Sequence, residues 1–402
     1  MRILNVTQSY APFFEFGGPP VKVKALAEGM AKKGHEVGVL TADWGLQERL
    51  KEMAKEAPPE ISPFGRKRLV NGVTAVYLPN WLHYHAASWN PALGRYLRAR
   101  LNNFEVAHIY GLYDLMGLRV AWECRKRKIP YVVEPIGMFV PIVRNFWLKG
   151  MYHRLWGRTM FEGAGAIVAT AEQEQEELLA GGIAKQKIVL RRNGVEIPAE
   201  FPEAGRFREK LGIGKQERLI LFLGRLSQKK SPDLLLKAFA RLREKNQELD
   251  TAHLVFVGPD ESGMKARLQE MAAHLEVSGR VHFHPPIAGD AKWAAYRDAD
   301  IFVLPSQNEN FGNTAAEAVG AGTPVIVTEQ CGIAPLLKDT AGLVVRHDEG
   351  EVRDALARLL DSEEARKRLQ QGCTEVVSKL GWNEPVDQME AIYSGLARRK
   401  VT

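Results

Sequence analysis

The chain has 402 residues, of which 45% are hydrophobic and 26% charged. This composition is typical of a soluble globular protein, and the length exceeds one ordinary core, so we expect two domains. The three scattered cysteines have neither disulfide nor metal-ligand spacing, and we find no signal-peptide pattern and no apolar run of the ~18–20 residues that span a bilayer. We therefore expect a cytoplasmic protein, whose formal net charge of +7 suits an anionic partner.

Short apolar segments alternate with amphipathic helical segments through the first half of the chain. The apolar segments are, in order, "RILNVT", "EVGVLTA", "TAVYLP", "VAHIYG", "YVVEP", "AIVAT" and "KIVLRRN". Helical stretches such as "PPVKVKALAEGMAKKG" and "EQEQEELLAGG" lie between them. Alternation of this kind predicts a doubly wound parallel sheet. We place this first domain at residues 1–200.

The alternation stops at residues 196–217, which are rich in Pro, Gly and charge, and we predict the linker there. A second series then begins with "RLILFLGRL" and continues through "AHLVFVGP", "VHFHPP", "DIFVLPS", "TPVIVTE" and "GLVVR". We therefore predict two Rossmann-like α/β domains with doubly wound parallel sheets that face a cleft, the second at residues 210–382. Ligands of such folds bind at the carboxyl ends of the strands.

The positive charge is concentrated in the first half of the chain. Residues 1–200 contain 27 Lys and Arg against 19 Asp and Glu, and residues 91–160 contain 12 against 4. One interpretation is a solvated surface; the other is a face for an anionic partner, such as a membrane or a phosphorylated lipid. We find no recognised nucleic-acid-binding module, so we expect no nucleic-acid partner.

Cofactor motifs give little support to a dehydrogenase or a metal enzyme. The segment "GAGTPV" is not G-x-G-x-x-G, and nothing matches a P-loop. "RDAD", residues 297–300, has the D-x-D form of many metal-dependent transferases, but an apolar strand follows it directly. We interpret Asp298 and Asp300 as capping or surface groups at the end of a helix, and we expect no metal site.

Two glutamates with seven residues between them carry the first functional pattern, in "QNENFGNTAAE". The strand "DIFVLPS" ends just before Glu309, and Gly312 or Asn313 is a plausible N-cap for a helix from Thr314 that contains Glu317. The free N–H groups of that helix suit a phosphate, and carboxylates on either side suit vicinal hydroxyls. A nucleotide sugar has this layout, although two ordinary surface acids would give the same pattern.

Two further segments fit the same ligand. In "GRLSQKK", Arg225 emerges from the end of a strand and Lys230 follows on the loop, so that together they can neutralise a diphosphate without metal. A basic helix-entry loop is the alternative. Gly17 and Gly18 lie between the first strand and a helix, where the missing side chains let the backbone approach a ligand.

Taken in order, these segments resemble the family 4, or group 1, retaining glycosyltransferases, which have the GT-B fold. The resemblance covers nearly the whole chain and includes "KKGHEVGVLT", "RRNGVE", "GRLSQKK", "ADIFVLPS", "ENFGNTAAE" and "AGTPVI". It implies transfer of a hexosyl group from a UDP- or GDP-linked sugar to an acceptor hydroxyl, with no cofactor or metal. It also implies a role in surface polysaccharide or glycolipid synthesis, and a C-terminal helix at about 383–402 that returns to the first domain.

The resemblance assigns roles to individual residues. Glu317 resembles the glutamate that binds the ribose, Glu309 the one that faces the donor sugar, and Arg225 and Lys230 the pair that binds the diphosphate. Glu309, Arg225 and Lys230 would thus serve catalysis. The implied donor site also contains Gly17, Gly18, Ile287 near the base, Phe311, Gly312, Asn313 and Thr314. His108 and Tyr110 are the acceptor candidates; a buried structural role is the alternative for His108.

One departure from the family pattern concerns the acceptor. Many relatives carry His-Gly-Met where this chain has Ile136, Gly137 and Met138. A non-catalytic nucleotide-sugar-binding protein therefore remains as an alternative. A nucleotide-sugar epimerase or hydrolase is a second alternative, because it would share the fold. As partners we expect a nucleotide sugar and a lipid-linked or glycan acceptor, the former at an anionic membrane surface on the cytoplasmic side.

Overall fold

A computed structural model describes residues 1–53, 57–84, 87–140, 157–245 and 251–399. The chain divides into two compact units. Unit 1 contains Met1–Gly194 and Trp382–Thr402, and unit 2 contains Val195–Gly381. Each unit has its own sheet and its own hydrophobic core. The sheets consist mainly of parallel strands joined by helices, so the predicted α/β class is confirmed.

Unit 1 is built around a sheet in the order β11-β10-β9-β8-β1-β2-β5-β4-β3, counted over the described residues. Its strands are β1 (Arg2–Val6), β2 (Glu36–Ala42), β3 (Glu60–Ser62), β4 (Gly65–Val70), β5 (Val73–Leu78), β8 (Val106–Tyr110), β9 (Tyr131–Glu134), β10 (Ala166–Ala169) and β11 (Ile188–Leu190), with β6 (Leu82–Tyr84) and β7 (Ala87–Trp89) as a separate hairpin. Strands β8 and β9 are buried throughout, and β1 is buried except at Arg2. All seven apolar segments predicted in this half are strands.

Helices of unit 1 connect these strands. They are α1 (Gly18–Lys32), α2 (Leu46–Glu52), α3 (Leu93–Arg100), α4 (Leu115–Lys126), α5 (Arg158–Gly163) and α6 (Glu172–Ala180). Asp114 begins α4, because its carboxylate accepts hydrogen bonds from the N–H groups of Met116 and Gly117. Part of the basic segment at residues 91–160, namely 141–156, lies outside the described residues.

We did not predict the antiparallel edge of this sheet. Strand β4 pairs antiparallel with β5 and with β3. The turn between β4 and β5 is Asn71-Gly72, and both residues have positive φ, at 51° and 79°. This is the preferred sequence for a two-residue hairpin turn, so the signal was present in the chain.

Unit 2 has a sheet in the order β14-β13-β12-β15-β16-β17, and the pairs described are all parallel. Its strands are β12 (Arg218–Leu223), β13 (Ala252–Val257), β14 (Val281–His284), β15 (Ile301–Leu304), β16 (Val325–Thr328) and β17 (Gly342–Val345). Its helices are α7 (Arg206–Leu211), α8 (Pro232–Lys245), α9 (Met264–His274), α10 (Gly289–Asp298), α11 (Asn313–Gly320), α12 (Ala334–Leu337), α13 (Glu349–Asp361) and α14 (Glu363–Val377). Helix packing on both faces buries the strands.

The segment predicted as a linker, residues 196–217, contains helix α7 and lies in unit 2. Phe207 on α7 is buried in the core of this unit. The carboxylate of Asp298, at the end of α10, accepts hydrogen bonds from the N–H groups of Gly205 at 2.5 Å and Phe207 at 2.7 Å. The segment is therefore folded onto unit 2 by a cap that is distant in sequence.

The last helix, α15 (Asn383–Arg399), belongs to unit 1. Lys33 beyond α1 pairs with Asp387 and Glu390, both at 2.7 Å. Tyr393 is buried, and its hydroxyl lies 2.7 Å from Nδ1 of His108 on β8. These contacts and the apolar contact between Gly29 and Val386 hold α15 against α1 and β8. Within the described residues, no helix is both long and apolar enough to cross a membrane.

Candidate functional site

The strongest candidate site lies at the carboxyl ends of neighbouring strands in unit 2. Strand β12 lies between β13 and β15 in the sheet, so the loops that follow these three strands meet at one edge. Arg225 follows β12 and Glu309 follows β15. The Arg225 side chain is 53% exposed, and its guanidinium lies 3.8 Å from the carboxylate of Glu261, in the loop after β13. A loosely held guanidinium at this edge can turn to a bound anion.

Lys230 and Glu309 come together across two of these loops. The N–H of Gln307 donates to the carbonyl oxygen of Lys229 at 3.0 Å, which joins the two loops through their backbones. The Lys230 ammonium donates a hydrogen bond to Oε2 of Glu309. Both side chains are mostly buried. Two residues that the sequence selected separately therefore form one charge-neutral pair.

A second set of backbone bonds fixes the loop that contains Glu309. Its N–H donates to the carbonyl oxygen of Gln330 at 3.0 Å, and its own carbonyl oxygen accepts from Gly332 at 2.9 Å. The carbonyl oxygen of Phe311 accepts from the N–H of Ile333 at 2.7 Å, and the Phe311 ring is buried. Backbone hydrogen bonds within the protein therefore hold the loop on both sides, which favours a preformed site.

Helix α11 starts at the end of this loop. The residue before the helix has no side chain that could cap its first N–H groups. That residue is Gly312, one of the two N-cap candidates, with φ of 102°, and a Cβ here would lie 3.0 Å from Cγ2 of Ile333. Glycine fits both the left-handed backbone and the close approach. Because Gly312 has no side chain, the N–H groups at Asn313 and Thr314 lack the usual capping oxygen and suit an anion.

Glu317 is held by two residues of the preceding helix, α10, that the sequence did not single out. Its Oε1 lies 2.8 Å from Nζ of Lys292, and its Oε2 accepts a hydrogen bond from the Tyr296 hydroxyl at 2.8 Å. Burial and the charge of Glu317 raise the pKa of Tyr296 well above its usual value, so this phenol remains a donor. Lys292 and Tyr296 are about one helical turn apart, which places them on the same face of a helix. This spacing was the only indication in the sequence that they act together.

Three buried polar atoms around these loops have no hydrogen-bond partner among the described residues. They are Oγ of Ser306, Oδ1 of Asn308 and Oδ1 of Asn313. Buried polar atoms are normally paired, and unpaired ones need an explanation. Ile287, the candidate for the base, lies between β14 and α10 and packs on the core of unit 2.

Gly17 and Gly18 lie in unit 1, where they form the entry to helix α1. Gly17 has φ of 94° and ψ of −142°, and Gly18 is the first residue of the helix. One turn inside, Lys22 is buried, and its ammonium lies 2.6 Å from Oε1 of Glu134 at the end of β9. Arg191 donates to the other oxygen of Glu134, also at 2.6 Å.

The charges around Glu134 determine its ionisation. Burial alone would raise its pKa, but the positive charges of Arg191 and Lys22 outweigh burial and lower the pKa to about 2. Glu134 is therefore an anion shared between two buried cations. This network anchors the first turn of α1, and hence the Gly17–Gly18 loop, to the end of a central strand.

His108 and Tyr110, the acceptor candidates, lie inside unit 1. Neither is more than 3% exposed, and their rings stack with centroids 3.9 Å apart. His108 bonds to Tyr393, and the Tyr110 hydroxyl donates to Oδ1 of Asn5 at 3.1 Å. The expectation that they contact an acceptor is not supported by this placement. Burial lowers the pKa of His108 to about 3, and the alternative of a buried structural histidine describes it.

Ile136 has an unusual backbone for a β-branched residue, with φ of 57°. The N–H of Gly137 donates to Oε1 of Glu174 at 2.5 Å, which holds the turn in place. Left-handed non-glycine residues tend to occur at functional sites. The segment where relatives carry His-Gly-Met is therefore a fixed, strained turn, with an apolar side chain in place of the imidazole.

Asp298 and Asp300 have structural partners, as the sequence indicated. Asp298 caps α7, and Asp300 pairs with Arg208 at 2.5 Å and Arg218 at 3.1 Å. Over the residues the structure describes, no group of three or more His, Cys, Asp or Glu side chains is arranged to hold a metal ion.

Comparison with known proteins agrees with this geometry. Residues 204–375 match the model of the glycosyl transferases group 1, and residues 17–194 match that of the glycosyl transferase 4-like domain. The chain is 29% identical to a D-inositol 3-phosphate glycosyltransferase of Thermomonospora curvata, over 94% of this chain and 90% of that one.

Solved structures support the fold. Sucrose-phosphate synthase from Thermosynechococcus elongatus has a TM-score of 0.74 at 21% identity, over 98% of both chains. HepE of Anabaena, solved with UDP and glucose, has a TM-score of 0.77 at 16% identity, over 98% of this chain and all of the other. The two family models together match most of the chain, and the resemblance inferred from the sequence motifs is confirmed: the chain belongs to the group 1 glycosyltransferases and has their GT-B fold.

Proposed function

We propose that the protein transfers a hexosyl group from a UDP-linked sugar to an acceptor hydroxyl, with retention of the anomeric configuration and without a divalent metal. The choice of UDP is supported by HepE, which was solved with UDP and with UDP-glucose. The choice of a hexose and of retention follows the family resemblance. A lipid-linked or glycan acceptor on the cytoplasmic side, in polysaccharide or glycolipid synthesis, completes the proposal.

The pairing of Lys230 with Glu309 carries the proposal. A diphosphate is a stronger partner for an ammonium group than a single carboxylate is, because it offers more charge. When the diphosphate takes Lys230, the carboxylate of Glu309 is released to accept hydrogen bonds from the hydroxyls of the sugar. Binding of the leaving group thus prepares the group that orients the sugar.

The remaining residues fit the other parts of the donor. Glu317, oriented by Lys292 and Tyr296, is suited to the ribose hydroxyls, and Ile287 offers apolar surface to the base. Arg225, Lys230 and the first N–H groups of α11 stabilise the charge that develops on the leaving diphosphate. The bond from the anomeric carbon to the diphosphate oxygen breaks, a bond to the acceptor oxygen forms, and the acceptor proton passes to the leaving diphosphate.

The same residues support the proposal that no metal is needed. The charge that a magnesium ion would supply in other transferases is supplied by two side chains and a helix terminus. The D-x-D aspartates are engaged in capping and ion pairs.

A panel of nucleotide sugars in a thermal-shift assay, followed by product analysis, tests the function. A ligand that binds the folded state raises the apparent melting temperature. We expect the largest rise with a UDP-hexose and, with an acceptor present, a retained glycoside and free UDP. A free epimerised or hydrolysed sugar would favour the epimerase or hydrolase alternative. Binding without turnover over a broad acceptor panel would favour a non-catalytic binding protein.

A further inference from the structure

Helix α4 of unit 1 exposes a mixed apolar and basic stripe. Its solvent side presents Leu115, Arg119, Trp122 and Lys126, which follow the i, i+4, i+7, i+11 spacing of a single helix face. Leu115 is 55% exposed and Trp122 is 50% exposed. The opposite side of the helix, including Met116 and Val120, is buried in the core. Packing of this helix against the core therefore does not require the exposed stripe.

Cations cover the Trp122 ring. The guanidinium carbon of Arg119 lies 4.5 Å from the ring centroid, and Nζ of Lys126 lies 5.4 Å from it. Both distances are within the range of cation–π attraction. The arrangement orders a large apolar ring and two positive charges on one exposed face.

Two further tryptophans lie on the neighbouring β6–β7 hairpin, whose strand β7 contacts α4. Trp81 is 72% exposed and Trp89 is 55% exposed, and their rings meet edge to face with centroids 6.3 Å apart. We call Trp81, Trp89, Leu115, Arg119, Trp122 and Lys126 the tryptophan surface. Patches of large exposed apolar side chains often mark interaction sites.

The charge around this surface is strongly positive. Residues 87–128 contain eight Lys and Arg against three Asp and Glu. The three acids are all engaged: Glu105 bonds to Arg2, Asp114 caps α4, and Glu123 pairs with Arg119 and Arg127. Eight basic and three acidic residues leave this stretch with a net charge of +5, although Arg119 and Arg127 share the charge of Glu123.

We propose that the tryptophan surface docks this protein on an anionic lipid bilayer. Tryptophan favours the boundary between headgroups and acyl chains, and each basic residue near an anionic leaflet strengthens binding. A glycan is a poorer fit. Sugars stack on open aromatic faces and need acceptors for their hydroxyls, whereas Trp122 already lies beneath two cations and no free carboxylate lies among these six residues. The docking stands apart from the transfer reaction.

Vesicle co-sedimentation of the full chain tests the proposal. The probes are vesicles of phosphatidylcholine alone and of phosphatidylcholine mixed with phosphatidylglycerol. We expect binding to the anionic vesicles that weakens as salt rises, little binding to the neutral ones, and a shift of tryptophan emission to shorter wavelength on binding.

Two double variants separate the apolar and charged contributions. Arg119→Gln with Lys126→Gln should lower the affinity for anionic vesicles by about fivefold for each charge removed, and should flatten the salt dependence. Trp89→Ser with Trp122→Ser should lower affinity at every salt concentration and abolish most of the emission shift. Leu69→Ser and Arg158→Gln, at positions 70% and 81% exposed elsewhere in unit 1, are the matched controls and should bind as the parent does.

Several results would overturn the proposal: no binding of the parent to anionic vesicles, equal binding to both vesicle types, or losses in the controls as large as in the variants. An emission shift caused by soluble oligosaccharides without vesicles would make the surface a glycan site instead. Calorimetry with UDP on the same variants keeps the two proposals separate. Affinity for UDP should be unchanged in them, and a parent protein that binds vesicles but not UDP would contradict only the proposed function.

Discussion

The ammonium of Lys230 and the carboxylate of Glu309 are 79 positions apart in the chain, yet they form a hydrogen-bonded ion pair at the edge of one sheet. Each group neutralises the charge of the other. In the donor site that we propose, the pair would favour a ligand that offers an anion to the lysine and hydroxyls to the glutamate. Substitution of one residue at a time can test the anion requirement and the hydroxyl requirement separately.

Removing the cations should weaken binding of UDP. Arg225→Ala and Lys230→Ala each lose a charge-assisted contact to a phosphate, which costs roughly 1.5–3 kcal/mol, or about a tenfold to hundredfold rise in the dissociation constant. Isothermal calorimetry with UDP measures it. Lys367→Ala, at an exposed lysine paired within its own helix, is the control. Unchanged affinity in both site variants would contradict the assignment of the diphosphate site.

The two glutamates should respond differently to removal. Glu317→Ala should raise the dissociation constant for UDP, because the ribose loses its partner. Glu309→Ala should bind UDP at least as tightly as the parent, because Lys230 is freed from its ion pair, but turnover of the UDP-sugar should fall. Calorimetry with UDP and kinetics with the full donor distinguish the two. The reverse pattern would exchange their roles.

Chelation should leave turnover intact. We expect transfer to continue in EDTA, and Asp298→Ala to lower the midpoint of thermal unfolding without introducing a magnesium requirement, because Asp298 caps α7 through backbone N–H groups. Loss of such a cap costs about 1 kcal/mol. Activity lost in EDTA and regained with magnesium or manganese would contradict the proposal of metal independence.

Buried His108 should make the protein sensitive to mild acid. Its pKa falls from 6.5 to about 3 on folding, so between these values the unfolded chain holds a proton that the folded chain does not. The contribution of His108 to the free energy of unfolding then decreases as pH falls, by up to about 1.4 kcal/mol per pH unit. Glu134 adds a loss in the same direction, but only as pH falls from 4.5 to about 2.

The interval from pH 6.5 to 4.5 therefore excludes Glu134. Buried Asp114, whose pKa is raised to about 6, opposes the loss below pH 6, but it does so in the parent and the variant alike. His108→Gln should reduce the pH dependence of the urea midpoint in this interval, although the variant is less stable overall because of its altered bond to Tyr393. The exposed substitution His274→Gln is the control. An identical slope in His108→Gln and the parent would show that His108 does not carry the effect.

Gly258 should be essential for the position of Arg225. Its φ is 146°, and a Cβ at this position would lie 1.9 Å from the carbonyl oxygen of Gly224. Gly258→Ala must therefore displace the loop that begins at Gly224. We expect weaker UDP binding together with a lower unfolding midpoint. Gly263→Ala, also at positive φ but in open space, is the matched control for backbone strain alone.

The sequence was informative about the strands and the loops that follow them. A buried parallel strand is a continuous run of apolar residues. Segments such as "RILNVT" and "DIFVLPS" can therefore be recognised as strands from their own sequence. Strand β4, "GRKRLV", is charged and lies near the edge of its sheet, so its pattern gave no strand signal; only Asn71-Gly72 marked the hairpin. The Glu309 segment was recognisable because a strand, a glycine and a helix start occur within a few residues.

Contacts between distant residues could not be read from the chain. Lys292 and Tyr296 reach Glu317 only because α10 packs beside α11. Lys22 and Glu134 are 112 positions apart, and their pairing depends on the order of the strands in the sheet. His108 was placed correctly within an apolar strand, but its partner Tyr393 comes from the last helix.

That last helix has a consequence for biosynthesis. Unit 1 consists of the first 194 residues and the segment from Trp382 onward, so the chain leaves it once and returns after completing unit 2. On the ribosome, His108 and Lys33 must wait for residues of α15 that are translated more than 270 positions later. Unit 2 is one continuous segment of the chain, so it can fold while unit 1 still lacks helix α15. A premature stop codon within α15 would therefore damage the domain made first and leave the one made second intact.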